Sequence, residues 1–392
     1  MLPNPSLRLI PSLATINETA WDALANPVPD QANPFIRWAF LQALEETGCV
    51  GGDTGWQGLH MLAEDENGTL LGAVPLYLKS HSLGEYVFDH NWAHAYEQAG
   101  GQYYPKLLAA VPFTPVPGLR LLAENHEVRA ILASGLQGAV QESGASSVHV
   151  TFANIEDIKV LTEQGFVHRI DIQYHFINSG YANYNEFLLT LSSRKRKNLR
   201  KERERAAQDI KIERLSGDDL KPEHWDAFYR FYLDTGARKW GQPYLNREFF
   251  EEIHARMNKD ILLILAKADG DWIAGALNFI GGDALYGRYW GCVDHRPGLH
   301  FELCYHQAVE AAIERGLARV EAGAQGEHKI ARGYVPIKTH SAHWFADTGL
   351  HDAVSSYLKH ERYRVEQDVI TLDAHTPFRK DTGGLSLPLK GE

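Results

Sequence analysis

The pattern of apolar and polar residues runs through one order of elements twice. Residues 58–79 contain two apolar runs joined at Asn67-Gly68, and residues 261–280 contain two more around Asp269-Gly270. Each pattern predicts a β-hairpin, because the turn requires positive φ angles that Asn, Asp and Gly adopt with least strain. An amphipathic stretch and a short apolar strand follow each hairpin. The chain is therefore predicted to use one fold twice.

The first half can be divided into elements by its helical and strand periodicities. A strand is predicted at residues 7–13, and Asn33-Pro34 begins a helix that Gly48 ends. After the hairpin the predicted elements are a loop-rich insert at 80–118, a helix at 126–143, a strand at 146–152, a helix at 154–164 and a strand near 173–178.

The second half repeats this order with more helix. Its predicted elements are a strand at 210–215, helices near 222–234 and 247–257, a three-strand meander, a helix at 301–316, a strand at 318–324, a short helix near 329–332 and a strand at 339–346. The order predicts the α+β class, in which each domain has a mixed, mainly antiparallel sheet flanked by helices.

Length and composition are typical of two folded domains. The chain has 392 residues, of which 44% are hydrophobic, and two cores of about 150–200 residues each are of ordinary size. We expect a first domain at 1–180, a basic helical connector at 181–209 and a second domain at 210–372. The remaining residues, 373–392, are rich in Gly, Pro and Lys and are expected to form a flexible tail.

Cysteine usage and the first residues indicate a cytoplasmic protein. Cys49, Cys292 and Cys304 are too scattered for a disulfide framework, and the start of the chain lacks a secretory signal. No apolar run approaches the roughly 20 residues that span a bilayer. The formal net charge of −11 argues against a surface that binds nucleic acid along its whole extent, so any polyanion site is expected to be local.

Two phrases carry a family resemblance. LTEQGF at 161–166 and WFADTGL at 344–350 are similar to the phrase that leads from a helix into a closing strand in the GCN5-related N-acetyltransferase superfamily. Two such domains in one chain resemble the FemAB-like branch, as do residues 72–116, 191–206 and 320–344. The resemblance covers about residues 30–380 and points to an uncharacterised bacterial group, predicted to act in peptidoglycan biosynthesis or recognition. It implies two tandem acetyltransferase-like domains.

The insert at 80–118 is a candidate pocket wall. Its aromatic rings could stack on a sugar or base, and its carboxylates and imidazoles could exchange protons at neutral pH. The substrate-binding candidates here are Asp89, His90, Trp92, His94, Tyr96, Tyr103, Tyr104 and Lys106. The alternative is a satisfied polar network with a structural role. No metal is predicted, because His90 and His94 lack a well-placed third ligand.

A basic run places eight positive charges within residues 194–205. On a helix Arg196, Arg200 and Arg203 share a face, from which they could grip phosphate. The resemblance implies a basic segment between the domains, near a phosphate-bearing substrate. It also makes tRNA a possible partner, because aminoacyl-tRNA is a donor in the characterised bridge enzymes. The alternative is a solvated helical connector.

The donor-binding junctions depart from the superfamily pattern. Acetyl-CoA users have a Gln or Arg followed by closely spaced glycines, whose backbone N–H groups hold the pyrophosphate. The second half has Arg296 and Gly298 at this junction, but His300 stands where a second small residue is expected. The first half has only Gly118. The donor, acyl-CoA or aminoacyl-tRNA, is left undecided.

The second half carries the predicted catalytic residues. Glu321 or His328 could take the proton of an attacking ammonium, and Tyr289 could protonate the leaving group. The further substrate-binding candidates are Lys329, Arg332, Lys338 and His340. The structural alternatives are that Glu321 is a buried partner of Arg332 and that Tyr289 is a core ring beside Trp290.

Two functions follow as expectations. The favoured one is an N-acyltransferase or aminoacyltransferase acting on an amine of a small or cell-wall-precursor acceptor, with the acceptor held by the first half and the chemistry in the second. The alternative is a non-catalytic binding module that recognises a phosphorylated sugar or peptide. The acceptor, the pathway and the oligomeric state are left open.

Overall fold

The computed structural model describes residues 5–239, 243–323 and 326–379. The helices are α1 (Glu18–Ala25), α2 (Trp38–Glu46), α3 (His90–Gln98), α4 (His126–Ser143), α5 (Ile155–Glu163), α6 (Tyr184–Thr190), α7 (Ser193–Ala206), α8 (Pro222–Lys239), α9 (Arg247–Met257), α10 (Leu299–Phe301), α11 (Gln307–Glu314) and α12 (Thr348–Ala374). The strands are β1 (Ser6–Ile10), β2 (Trp56–Gly58), β3 (His60–Glu64), β4 (Leu70–Val74), β5 (Leu76–Lys79), β6 (Lys106–Ala109), β7 (Leu122–Ala123), β8 (Ser147–Ala153), β9 (Val167–Ile177), β10 (Lys211–Leu215), β11 (Ile261–Ala268), β12 (Asp271–Ile280), β13 (Ala284–Cys292), β14 (Arg319–Glu321) and β15 (Val335–Phe345).

The chain divides into two units. Unit 1 is formed by the residues up to 29, 35–171 and 338–367. Unit 2 is formed by 30–34, 172–337 and the residues from 368 onward. The chain enters unit 2 briefly at residues 30–34 and later passes from one unit to the other within β9, β15 and α12. Among the described residues, no helix has the length and apolar character needed to cross a lipid bilayer.

Unit 1 contains two sheets. One has the order β15-β8-β6-β5-β2, in which only β8 and β6 are parallel. The other is the antiparallel sheet β1-β3-β4-β7. Strand β8 is buried at every position and its Val148 and Val150 pack with Leu132 and Leu136 of α4. A strand of this kind, apolar and covered on both sides, is typical of parallel pairing.

Unit 2 has the sheet order β10-β11-β12-β13-β14-β9. Its pairs are antiparallel except β13 with β14, which run parallel from Ala284–Arg319 to Tyr286–Glu321. Beyond Tyr286 strand β13 continues to Cys292, whereas β14 ends at Glu321. The two strands therefore separate at this point. Helix α8 packs on β12 and β13, and α11 packs on β13 and β14.

Both predicted hairpins are present. Strands β3 and β4 are joined through Gly68 at φ +79°, and β11 and β12 through Asp269 at φ +51° and Gly270 at φ +95°. The positive φ angles are the reason for these residues at the turns. The predicted α+β class, with mixed and mainly antiparallel sheets flanked by helices, is confirmed.

The units differ from the domain bounds expected from the sequence. Residues 172–180 and the basic connector belong to unit 2, while 338–367 belong to unit 1. The last strand of each half explains this difference, because β9 pairs with β14 of unit 2 and β15 pairs with β8 of unit 1. Periodicity predicts that a strand exists, but it does not predict which strands it pairs with.

Several local expectations also differ. The insert at 80–118 contains α3 and β6, and the phrase at 344–350 leads from β15 into α12, from strand to helix. The helix expected at 301–316 is interrupted by a π-helical turn at Glu302–His306. In the expected tail, residues 373 and 374 end α12 and Phe378 forms a bridge with Leu191. The rest of that tail, 380–392, lies outside the described residues.

Gly291 of β13 provides a test of close packing in unit 2. A Cβ atom at this position would lie 2.2 Å from the backbone oxygen of Phe231 in α8. We expect Gly291→Ala to destabilise unit 2 by about 1–3 kcal/mol, because backbone atoms on both sides cannot move apart cheaply. Urea unfolding followed by circular dichroism measures the change.

The matched control is Gly138→Ala in α4, where a Cβ atom meets nothing within 4 Å. It is expected to raise stability by up to about 1 kcal/mol, the helix propensity of Ala over Gly. Equal effects of the two substitutions would contradict the proposed contact.

Candidate functional site

A buried cluster of charges organises the insert of unit 1. The Lys106 ammonium, at the start of β6, is fully buried and donates to Ser82 Oγ at 2.7 Å and Glu85 Oε2 at 2.7 Å. It also donates to Asp89 Oδ2, which accepts from the Tyr103 hydroxyl at 2.8 Å. One ammonium thus holds three side chains of the segment between β5 and α3.

The electrostatics of this cluster follow from burial and pairing. Burial alone would raise the pKa of Asp89, but the charge and hydrogen bond of Lys106 hold it well below its usual value. Burial lowers the pKa of Lys79 to about 7, and its ammonium lies 3.7 Å from the centre of the Trp56 ring. Burial raises the pKa of Glu85 to about 7, since its contacts with the two lysines only partly offset desolvation.

Two buried imidazoles adjoin the same cluster. His149 Nδ1 and His343 Nδ1 are 2.7 Å apart, so one ring must donate to the other. Burial lowers the pKa of His149 to about 3 and moves that of His343 in the same direction. Both rings are therefore neutral at neutral pH. Trp92 stacks on His149 and packs edge-on against His343.

The substrate-binding candidates of the insert divide into two groups. Asp89, Trp92, Tyr103 and Lys106 are buried and have partners within unit 1, which favours the alternative of a polar network for these four. The other four, His90, His94, Tyr96 and Tyr104, are more exposed. Of these, Tyr104 contacts Ser82 and His94 contacts Gln98. In the part of the chain that the structure describes, no group of three or more His, Cys, Asp or Glu residues could hold a metal ion.

Glu321 of unit 2 lies where β13 and β14 separate. Its side chain is buried, and Oε1 accepts from Arg319 Nε at 2.8 Å. Oε2 lies 3.8 Å from His175 Nε2 and has no hydrogen-bond partner among the described residues. The structural alternative, a pairing of Glu321 with Arg332, is not what the structure shows, because Arg332 binds both carboxylate oxygens of Glu202. A buried carboxylate oxygen without a hydrogen bond is costly, which makes it a candidate for chemistry.

The sheet separates the predicted catalytic residues. Val320 and Tyr174 belong to the core on the α11 side, so their neighbours Glu321 and His175 point to the opposite face. The bulge that lengthens β13 brings Tyr289 onto this same face, where its ring packs against Tyr232 of α8. The structure therefore brings Tyr289 to the sheet face of Glu321.

His328, Lys329 and Arg332 lie on the α11 side instead. The His328 ring is 3.1 Å from the Tyr305 hydroxyl, and the Arg332 guanidinium stacks 3.5 Å from the centre of the Phe301 ring. Glu321 and His328 thus do not form one catalytic pair.

The π-helical turn builds a second polar network that sequence reasoning missed. Glu302 and Glu310 bind Arg203 of α7, and His306 binds Glu202 at 2.8 Å and the Tyr184 hydroxyl at 2.7 Å. One extra residue per turn rotates the buried face of a helix, and such turns are frequent at functional sites. The signal in the sequence is Glu202, a carboxylate within a basic run.

The three arginines predicted to share one face of the basic helix differ in exposure and in partners. Arg203 is bound by two carboxylates and Arg196 is partly buried, whereas Arg200 is exposed. Arg196, Arg200 and Arg203 therefore do not form one exposed face of α7 that could bind phosphate. Of the remaining candidates, Lys338 and His340 lie in unit 1, where they contact Glu366 at 3.9 Å and His168 at 3.0 Å.

Lys329 is a buried ammonium bound by backbone. It donates to the carbonyl oxygens of Ala322 at 2.7 Å and Gly323 at 2.9 Å, directly after Glu321. Burial lowers its pKa to about 8. Lys329 therefore stabilises the backbone that directly follows β14.

An open cavity of about 580 Å³ lies on the same side of unit 2. It combines apolar walls with both signs of charge and is lined by Ile172, Tyr174, Lys195, Glu327, Ile330, Ala331, Asp368, Thr371, Leu372 and His375. A cavity of this size can hold a small ligand. It lies across the sheet from Glu321, because Ile172 and Tyr174 alternate with Gln173 and His175.

Fold and site together define a two-unit α+β protein with a buried carboxylate at a strand separation. The chain belongs to the FemAB-like family, described as peptidoglycan biosynthesis/recognition, whose model matches residues 12–380. The resemblance drawn from the two closing phrases and from residues 72–116, 191–206 and 320–344 is confirmed. Comparison with curated proteins gave no match.

Solved structures share this fold at low sequence identity. FemX is 13% identical with a TM-score of 0.55, covering 87% of this chain and 98% of its own. The C-terminal domain of a putative lysylphosphatidylglycerol synthetase from Agrobacterium fabrum is 11% identical with a TM-score of 0.52, over 86% and 96%. A conserved protein of unknown function from Bacteroides thetaiotaomicron is 10% identical with a TM-score of 0.52, over 87% and 100%.

Removal of the Lys106 ammonium tests whether the unit 1 cluster is structural. Lys106→Met should destabilise unit 1 by about 3–5 kcal/mol, because two buried carboxylates lose their counter-charge. The exposed Lys159, which pairs with Glu156, provides the control. Lys159→Met should change stability by less than about 1 kcal/mol. Similar losses in urea unfolding would show that the cluster contributes no more than a surface pair.

The lowered pKa of Lys329 predicts how the free energy of unfolding depends on pH. Its folded-state pKa is about 8 against an ordinary 10.5. The free-energy cost of burying the charged ammonium is therefore present in full below about pH 8, and it falls as pH rises towards 10.5 because the folded protein loses this proton first. This lysine should therefore add about 3 kcal/mol to stability between those limits. In Lys329→Met that rise should be absent, whereas Lys259→Met, at an exposed lysine of unit 2, should keep it. Urea unfolding at about pH 7 and about pH 10 measures both; parallel pH dependences in all three proteins would rule the assignment out.

Proposed function

We propose that this protein is an N-acyltransferase that moves an acyl or aminoacyl group from an activated ester to an amine of a cell-wall precursor. The family description supports peptidoglycan as the context. The fold shared with FemX and with a lysylphosphatidylglycerol synthetase domain supports a transferase that handles acyl or aminoacyl groups. The proposed donor class, activated esters, includes acyl-CoA thioesters and aminoacyl-tRNA esters.

The observation that carries the proposal is the orientation of Glu321. Its Oε2 is buried, lacks a hydrogen bond within the described residues and lies at the separation of β13 and β14. Arg319 holds the other oxygen. Burial lowers the pKa of Arg319, but Glu321 above all raises it beyond its ordinary value, so the guanidinium stays charged. Glu321 is thus fixed in place while one oxygen is kept for an incoming proton.

The proposed reaction uses Glu321 as general base. An acceptor ammonium gives a proton to Oε2, and the resulting amine attacks the ester carbonyl carbon. A C–N bond forms and the bond from the carbonyl carbon to the donor oxygen or sulfur breaks. The leaving group takes up a proton, for which we propose the Tyr289 hydroxyl on the same sheet face. The nitrogen gives up its second proton as the amide forms, and that proton restores the Tyr289 hydroxyl. Burial lowers the pKa of His175, so the ring beside Glu321 stays neutral.

The junction between β13 and α10, where acetyl-CoA users hold the pyrophosphate, lacks the closely spaced glycines. This supports a donor ester that is bound without such a pyrophosphate site. Arg296 is bound by Asp294 at 2.9 Å, and Gly298 is the one glycine between β13 and α10. The same observation favours the second candidate, a non-catalytic module that recognises a phosphorylated sugar or peptide. Activity decides between the two.

Glu321→Gln tests the proposal. The amide keeps the size of the side chain but cannot accept the proton, so transfer should fall by about 10²- to 10⁴-fold. Binding of a nucleotide-linked muropeptide, measured by calorimetry, should stay within about threefold, equivalent to less than 1 kcal/mol. Transfer is followed with labelled acyl-CoA and with charged tRNA as donors.

The matched control is Asp283→Asn. Asp283 is the other carboxylate bound by Arg319, so its loss perturbs the same guanidinium without touching the proposed base. Its transfer rate should remain close to that of the unchanged protein. Full activity of Glu321→Gln would refute the assignment, and absence of transfer by the unchanged protein with either donor would favour the binding module.

A further inference from the structure

Helix α7 has one face committed to unit 2. Leu199 and Ala206 are buried in the unit, and between them Glu202 and Arg203 bind residues on or next to the π-helical turn. These four positions follow the spacing of one helical face. The rotation of α7 about its axis is therefore determined by contacts inside the unit.

The opposite face is strongly cationic. It carries one carboxylate, Glu204, among five exposed cations, which are Arg194, Lys197, Arg200, Lys201 and Arg205. None of the five forms an ion pair within the described ranges, although the chain as a whole is acidic. Like charges so close together on a helix repel one another. No ion pair among the described residues offsets this repulsion.

Two exposed apolar side chains of unit 2 come from elements next to α7 in the chain or around the cavity that Lys195 lines. Leu189 of α6, five residues before Arg194, is 54% exposed, and Ile370 of α12 is 63% exposed. Thr371, next to Ile370, lines the same cavity as Lys195 of α7. The carboxylates of Glu327 and Asp368 also line that cavity, so Lys195 is not counted with the cationic face. Cations with apolar neighbours are the combination that lipid headgroups and the outermost acyl carbons accept.

We propose that the outer face of α7 docks on an anionic lipid surface. Its five cations contact headgroup phosphates, and Leu189 and Ile370 enter the interface. The face offers no aromatic ring on which a base could stack, which favours lipid over single-stranded nucleic acid. This docking is independent of the transferase chemistry proposed above.

Vesicle co-sedimentation of the full chain tests the proposal. The protein should bind vesicles containing about a third phosphatidylglycerol, lose binding as salt is raised, and bind pure phosphatidylcholine at least about tenfold more weakly. The triple variant Lys197→Gln, Arg200→Gln and Lys201→Gln should lose at least about tenfold in affinity for the anionic vesicles. Leu189→Ser should weaken vesicle binding as well.

The matched control removes three exposed cations elsewhere on unit 2, with Lys221→Gln, Lys259→Gln and Arg315→Gln. It has the same net charge as the test variant and should bind like the unchanged protein. Thermal melting of each variant confirms that it is folded. Equal loss in both triple variants, or equal binding to neutral and anionic vesicles, would overturn the proposal. Binding of tRNA but not of vesicles at the same salt would assign the face to nucleic acid instead.

Discussion

The pairing of β9 with β14 is the constraint on which the site of unit 2 depends. It places His175 opposite Glu321 in the strand register and ends where β14 parts from β13. Because β9 comes from the first half of the chain, the candidate base is completed by a residue about 150 positions earlier. A shift of one residue in this register would turn Glu321 or His175 into the apolar core on the other face.

Buried charge shapes both units in the same way. Lys106 in unit 1 and Arg203 in unit 2 each hold two carboxylates, since a buried cation without partners would be prohibitively costly. These pairs order the insert and the basic helix. Several residues with reactive side chains therefore serve the fold.

The two units use related elements differently. In unit 1 the charged insert forms a buried hydrogen-bonded network beside two neutral imidazoles. In unit 2 the strands β13 and β14 separate, and helix α7 exposes a cationic face. Duplication with divided roles, the idea suggested by the repeated hairpins, is consistent with this arrangement. The division does not follow the halves of the chain, because β9 and β15 join units that their sequence positions do not indicate.

Local rules were enough for much of this protein. The sequence by itself determined the hairpins at Asn67-Gly68 and Asp269-Gly270, the basic helix, the α+β class and Glu321 as a candidate, because turn geometry and periodicity act over a few residues. Only the tertiary structure decided that Glu321 pairs with Arg319 and that His328 lies across the sheet. A bulge in β13, a π-helical turn and the exchange of two strands set these positions, and each depends on packing between residues far apart in the chain.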